Sequence, residues 1–276
     1  MSNAQSLVEP VVEEGGVKLR RKPEVYLVGR TTTEPDEIDR FLADHGVEHW
    51  STDTEEAGQK LTEIAGRICY MSFARPRPGG NSAYLHNIIE VGHGSVLEHA
   101  NYNFVITGVS RSFTHELIRH RAGFSYSQLS QRYVDESQCE FVEPPVIAGD
   151  PELHALFVKT VAEAQRAYVE LTDKLSKRIE QESPDLPKTD RRKMARQAAR
   201  AILPNATETK IFVTANARAI RHFLYLRGNF HAEDEIRTVA IAIWEIMRRE
   251  SPNFFTDFEL RKENGKDVLF TPHPKV

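Results

Sequence analysis

Apolar residues recur every three or four positions through most of the chain, and every second position through one stretch. Between Glu55 and Tyr70 they fall at Ala57, Leu61, Ile64, Ala65 and Ile68, the spacing of one apolar helix face. A second helix is expected over 82–91 through Leu85, Ile88 and Ile89, and a short helical pattern surrounds Ile38, Phe41 and Leu42. Asp150-Pro151 opens a long helix to about Glu182, since aspartate caps well and proline suits the first helical position. Ser183 to Pro187 ends it, and a basic helix from Thr189 to Leu203 runs up to Pro204. Residues 216–228 and 232–249 also read as helices, the second burying Ile236, Val239, Ala240, Ile243, Trp244 and Met247.

Period-two alternation marks residues 100–107, with Ala100, Tyr102, Phe104 and Ile106 set against Asn101, Asn103 and Val105. Shorter strands are expected at Val25–Val28, Phe141–Val142 and Thr209–Thr214. Residues 91–99 form a compact polar turn, and Arg75 to Gly80 is a Pro/Gly breaker. Residues 1–23 have no period and read as a mobile arm, leaving 24–276 as a single domain. Long helices mixed with short, irregularly placed strands predict an α+β fold, with helices packed around a small mixed or antiparallel sheet.

Composition narrows the function. Hydrophobic residues make up 40% and charged residues 28%, as in ordinary soluble globules. The formal net charge is −4, so bulk electrostatics gives no reason for nucleic-acid or membrane binding. The two cysteines, Cys69 and Cys139, are too few for a disulfide framework, which points to a reducing, cytoplasmic setting. No apolar run approaches the ~18 residues of a membrane span. No glycine-rich dinucleotide or P-loop fingerprint is present, so any nucleotide must be held by Arg, Ser and Asn side chains.

Candidate chemistry concentrates in residues 110–133, S-R-S-F-T-H-E-L-I-R-H-R-A-G-F-S-Y-S-Q-L-S-Q-R-Y. Phe113, Leu117 and Ile118 predict one buried helix face, with Arg119, His120 and Arg121 near the helix end and a polar loop after Ala122-Gly123. Guanidinium groups bind phosphate bidentately and hydroxyls complete the cradle, so the segment reads as a site for phosphorylated ligands. The same composition also suits a solvated basic helix end. Arg192, Arg196 and Arg200 share one helix face, a solvated stripe for the most part, with Arg200 set apart by the apolar stop that follows it. Asn216 is a sensible helix cap ahead of Arg218, His222, Arg227 and His231. His93, Ser95, Glu98 and His99 cluster without the H-E-x-x-H spacing of a metal site.

R-H-R followed by S-Y-S-Q-L-S-Q-R-Y resembles the signature of the flavin-dependent thymidylate synthases, here with eight residues, Ala122 to Leu129, between Arg121 and Ser130. Gly123 could absorb the longer spacing as a bulge. The blocks H-x-S-x-x-E-H at 93–99 and N-A-R…H-F-L…L-R…H at 216–231 are similar to further blocks of that family, in the same order. The resemblance implies that family's fold and the reductive methylation of dUMP at uracil C5. Methylenetetrahydrofolate would give the carbon, and FAD reduced by NADPH the hydride. It implies dUMP contacts at Glu116, Leu117, Ile118, Arg119, Gln128, Leu129, Ser130, Gln131, Arg132, Arg200 and Arg227. FAD contacts are implied at Ser95, Arg119, His120, Arg121, Gln128, Asn216, Arg218 and His222. Arg227 is the residue expected to ionise the uracil, and the assembly a homotetramer with sites shared between subunits. Neither cysteine has the cationic, helix-N-terminal setting of a reactive thiolate, which suits a route without an enzyme nucleophile. The rival readings are a non-catalytic nucleotide- or RNA-binding protein using the same arginines, and a metal-dependent hydrolase using the scattered histidines.

Overall fold

The computed structural model describes residues 11–74 and 78–276. The described elements run β1 (Val12–Glu14), β2 (Val17–Arg20), β3 (Glu24–Arg30), α1 (Pro35–Asp44), α2 (Ala57–Ile68), α3 (Gly80–Glu90), β4 (Asn101–Ser110), α4 (Arg111–Leu117) and β5 (Phe124–Gln128). They continue with β6 (Glu140–Val142), α5 (Pro145–Ala148), α6 (Pro151–Glu182), α7 (Lys188–Ala199), β7 (Glu208–Asn216), α8 (Ala217–Arg227), α9 (Asp234–Glu250), β8 (Glu259–Glu263) and β9 (Lys266–Phe270). The sheets have strand orders β1-β2-β6, β3-β4-β7-β5 and β8-β9. β1 pairs with β2 antiparallel, β2 with β6 parallel, and β8 with β9 antiparallel. This is a mixed helical and sheet architecture, compatible with the α+β class. Among the described residues no helix is long and apolar enough to cross a membrane.

The strongest patterns become the elements they predict. Tyr102, Phe104 and Ile106 are buried on one face of β4 while Asn103 and Val105 on the other are half-exposed. All six apolar residues expected inside α9 are buried. Asp150 caps α6, accepting from Glu152 N (2.9 Å) and Leu153 N (3.1 Å).

Contacts divide the chain into two compact units. The first comprises the stretch ending at Glu24, Ile106–Glu116 and Ser127–Ile211; the second comprises Val25–Val105, Leu117–Tyr126 and Phe212–Val276. The first unit has a core of Val17, Leu19, Cys139, Phe141, Val158 and Val161. A core of the second joins Leu42, Val47, Trp50, Ile64 and Phe73.

Several expectations need correction. The arm expected over 1–23 carries β1 and β2 beyond residue 10, turned by Gly15 and Gly16 at positive φ, with Val17 and Leu19 buried; residues 1–10 lie outside the described residues. Of the breaker at Arg75–Gly80, residues 75–77 also lie outside them, while Gly79 and Gly80 adopt left-handed φ at the start of α3. α4 stops at Leu117, so Arg119–Arg121 occupy the following turn, and Ile118 is exposed where a buried position was expected. The polar loop expected after Gly123 contains β5, where Phe124, Tyr126 and Gln128 are half-buried and alternate with exposed Ser125 and Ser127.

Candidate active site

The residues singled out above fall into two groups, one in each unit. The first unit holds Glu116, Gln128, Leu129, Ser130, Gln131, Arg132 and Arg200. The second holds Ser95, Leu117, Ile118, Arg119, His120, Arg121, Asn216, Arg218, His222 and Arg227.

In the first unit the chain turns from β4 directly into α4. Arg111 N donates to Thr207 O (3.1 Å) and Ser112 N to Asn205 O (3.1 Å). Burial of Phe113 and Thr114 then fixes the rotation of the short helix. The loop after β5 is tied from several sides. Leu129 N donates to Lys210 O (2.9 Å), and Gln128 Nε2 to Thr114 Oγ1 (3.1 Å) and Thr209 Oγ1 (3.3 Å). Arg196 donates to Tyr133 O (2.7 Å) and to the Asp135 carboxylate (2.8 Å), and Gln165 Nε2 to Ser137 O (2.9 Å). Arg196 is therefore a structural tie, while Arg200 sits one turn on, in the short 3-10 segment Arg200–Ile202.

Within this rigid frame several buried polar atoms have no hydrogen-bond partner among the described residues: Arg111 Nη1, Gln131 Nε2, Arg132 Nε and Glu136 Oε1. Each such atom costs about 1–3 kcal/mol unless something satisfies it. Burial and then the charge of Arg200 lower the Arg111 pKa, with Glu136 acting the other way, so two guanidinium groups share a region and no carboxylate is bonded to Arg111 Nη1 among the described residues. That arrangement suits an oxyanion. Arg111 was part of the basic segment but absent from the expected contacts. Its sequence signal is weak, because it precedes R-H-R by a full helix. Leu117, expected at the ligand, is buried, and its carbonyl accepts from Tyr126 Oη at 2.9 Å.

In the second unit the R-H-R turn is built around a buried His120, packed on Phe223 (5.1 Å between ring centroids), Phe124 (5.9 Å) and His222 (6.3 Å). Arg227 Nε donates to His120 Nε2 at 2.9 Å. Arginine has no acceptor to offer, so this bond fixes the lone pair on Nε2 and the neutral ring proton on Nδ1. Gly123 has φ +72°, and a Cβ there would meet Asn216 Nδ2 at 2.6 Å and Ala219 Cβ at 2.8 Å. Its carbonyl accepts from Asn216 N (3.1 Å), and Asn216 Oδ1 caps α8 by accepting from Ala219 N (2.8 Å). The turn and the start of α8 are thus one construction.

Around it lies a cleft of about 390 Å³ lined by Glu98, Gly123, Asn216, Arg218, His222 and Lys275. Arg218 also lines a larger cleft of about 850 Å³ with Arg67, Tyr70, Tyr84, His93 and Ser95. Both volumes are those of small-molecule sites, about 300–1,000 Å³. Arg218 Nη1 is held by Glu98 Oε1 at 2.6 Å with both side chains partly exposed. Arg119 and Arg121 are exposed on the turn. Cys139 is buried, and burial together with Glu136 pushes its thiol up to about 12. Cys69 ends α2, exposed, its thiol donating to Ala65 O at 3.4 Å. Among the described residues no three His, Cys, Asp or Glu side chains are grouped to hold a metal ion.

The family model of the thymidylate synthase complementing proteins matches residues 51–253. A flavin-dependent thymidylate synthase of Mycobacterium sp. (strain JLS) is 52% identical over 227 residues, covering 81% of this chain and 89% of the relative. One from Mycolicibacterium gilvum (strain PYR-GCK) is 51% identical over 235 residues, covering 84% and 92%. One from Mycobacteroides abscessus is 50% identical over 236 residues, again covering 84% and 92%. The three segments that carry the site residues lie inside the matched span, so the chain belongs to the thymidylate synthase complementing protein family.

Proposed function

We propose that the chain is a flavin-dependent thymidylate synthase with that family's fold, converting dUMP to dTMP. Methylenetetrahydrofolate supplies the carbon and NADPH the reducing equivalents, through FAD. The observation that carries the proposal is the pair of guanidinium groups of Arg111 and Arg200 in the first unit, with Arg111 Nη1 covered and without a hydrogen-bond partner among the described residues. A phosphate monoester is the anion this reading assigns to it. Ser130, Gln131 and Arg132 add a hydroxyl, an amide and a third cation on the adjoining loop, and Arg119 joins the set in this reading.

The second unit's clefts fit a flavin dinucleotide. Asn216, Arg218 and His222 offer an amide, a cation and an imidazole around one cleft, and Ser95 lines the other. His120 and Arg121 sit on the adjoining turn, and Gln128 belongs to the FAD set in this reading. Arg218, tied to the Glu98 carboxylate, would supply a cation to the flavin dinucleotide in this reading. A bound flavin supplies hydride storage between NADPH and the carbon unit. The chain's own residues bind, orient and polarise. Arg227 against the O2/N3 edge of uracil stabilises negative charge on the ring and raises electron density at C5, a type of preorganised contact worth about 3–4 kcal/mol. His120, with its Nε2 lone pair turned to Arg227, orients that guanidinium. Cys139 stays protonated and has no part as a nucleophile in this reading.

The active form is proposed to be a cytoplasmic homotetramer. The test is an absorbance spectrum of FAD-loaded protein under NADPH, with and without dUMP and methylenetetrahydrofolate. Flavin bleaching followed by dTMP production is expected. A protein with no flavin absorbance, and no spectral change on adding FAD, would sink the proposal.

A further inference from the structure

The buried carboxyl of Glu136 has no part in the chemistry above, yet it stands beside the region assigned to the ligand phosphate. The residue is 5% exposed, and Oε1 has no partner among the described residues. Its backbone is fixed, with Cys139 N donating to its carbonyl (3.2 Å) and its own N donating to Tyr168 Oη (3.4 Å). The charged groups that face it are Arg111 from α4, Glu208 and Lys210 from β7, and Asp135 from its own loop. Three of these are already engaged. Glu208 accepts from Gly108 N (2.8 Å) and from Lys210 Nζ (3.0 Å), and Asp135 accepts from Arg196 (2.8 Å). Arg111 remains, with a covered Nη1 that has no partner among the described residues. A carboxylate and a guanidinium that served only as a structural pair would be joined, because leaving both atoms unpaired forfeits the benefit of burying them together.

We infer that Glu136 is a positioning residue for the anion site: its ionised carboxylate competes for Arg111, and its protonated form yields Arg111 to the bound oxyanion. The inference rests on the anion-site reading above and deepens it. Burial, followed by the like charges of Glu208 and Asp135 and opposed by Arg111 and Lys210, raises this carboxyl to about 7. A second anion at Arg111 disfavours the charged form further, so binding takes up a proton there. The sign follows from linkage. Affinity is full below about 7 and falls as pH rises above it, by about tenfold between pH 6 and pH 8.

The probe is inorganic sulfate, whose charge is constant over this range, titrated at fixed ionic strength into the full chain by calorimetry. In the unsubstituted protein, sulfate affinity is expected to fall about tenfold from pH 6 to pH 8. Proton uptake at pH 7.5 should show as a dependence of the heat on buffer ionisation enthalpy, a readout that needs no variant. In Glu136→Gln the profile should be flat and the pH 8 affinity raised toward the pH 6 value. The same slope in both proteins would overturn the inference. Competition of dUMP with sulfate separates the two levels. If dUMP displaces sulfate but Glu136→Gln leaves the slope unchanged, the positioning role fails and the anion site stands. If sulfate does not bind, or dUMP does not displace it, both fall.

Discussion

Arg221 in α8 and Arg111 at the start of α4 both carry a guanidinium into the protein, and they are treated in opposite ways. Arg221 is fully buried. Its Nη1 and Nη2 reach the two Asp257 carboxylate oxygens at 2.6 and 2.8 Å, Nη1 also reaches Phe254 O at 2.5 Å, and Nε reaches Val276 O at 3.2 Å. The Phe258 ring covers it, 5.0 Å from the guanidinium carbon. Arg111 is half-buried, with a covered Nη1 that has no partner among the described residues, and the charges of Arg200 and Glu136 act on it in opposite senses. The first cation completes the fold. The second leaves a hydrogen-bonding debt that a ligand can settle. A buried charge with each nitrogen hydrogen-bonded is structural, and one whose surroundings withhold a partner is a candidate for a ligand. Arg227 lies between them, tied to the neutral ring of His120 and only half-buried.

The largest effect that could break this comparison is Arg221→Ala. It strands the Asp257 carboxylate, so denaturant unfolding should show a loss of about 3–5 kcal/mol. A loss under 1 kcal/mol would remove the contrast. Next comes Arg227→Ala. It should keep the fold and bind FAD with unchanged spectrum, while dTMP formation falls about 10²–10³-fold in kcat. A near-normal turnover number would remove Arg227 from the chemistry. Smaller still are Arg111→Ala and Arg200→Ala. Arg200→Ala should leave unfolding stability within about 0.5 kcal/mol of the parent, and Arg111→Ala should not lower it, since that change removes a covered atom that no described partner satisfies. Each should weaken dUMP about tenfold to a hundredfold, the worth of one charged hydrogen bond.

The smallest effect is a pH dependence of stability in Glu136→Gln. The folded-state carboxyl lies near 7, above its ordinary value, so the folded chain holds a proton that the unfolded chain releases. Stability from this group is present at low pH and is lost as pH rises from about 4.5 to about 7. The melting temperature of the parent should therefore drop relative to Glu136→Gln over that window. Parallel curves would mean that the carboxyl is not held protonated.

Much of this was legible in the sequence because some segments carry one dominant period. Residues 232–249 place six apolar side chains on one helix face, and all six are buried, so no tertiary effect could override the signal. The alternation at 100–107 was equally plain. β5 was missed because serine and glutamine outnumber its aromatics, although Phe124 and Tyr126 keep the period of two. The β8–β9 hairpin was passed over because β8 is wholly exposed and charged, so it has no apolar face to show. Its turn is nonetheless an Asn264-Gly265 pair at φ +47° and +81°, a recognisable hairpin signal. β1 and β2 also flank a glycine turn, Gly15-Gly16, and β2 shows only two apolar residues, Val17 and Leu19, too few to set a period. The site residues near R-H-R were legible as motifs. Arg111 and Glu136 were not, because what distinguishes them is the absence of a partner in three dimensions, which no spacing encodes.

The most direct measurement compares the binding of dUMP and deoxyuridine to the unsubstituted protein and to Arg111→Ala and Arg200→Ala. If Arg111 and Arg200 of the first unit receive the nucleotide phosphate, dUMP binds at least about a hundredfold more tightly than deoxyuridine, and that advantage shrinks about tenfold or more in each variant. Equal affinity for the two ligands in the parent, or an advantage that survives both substitutions intact, would contradict the account.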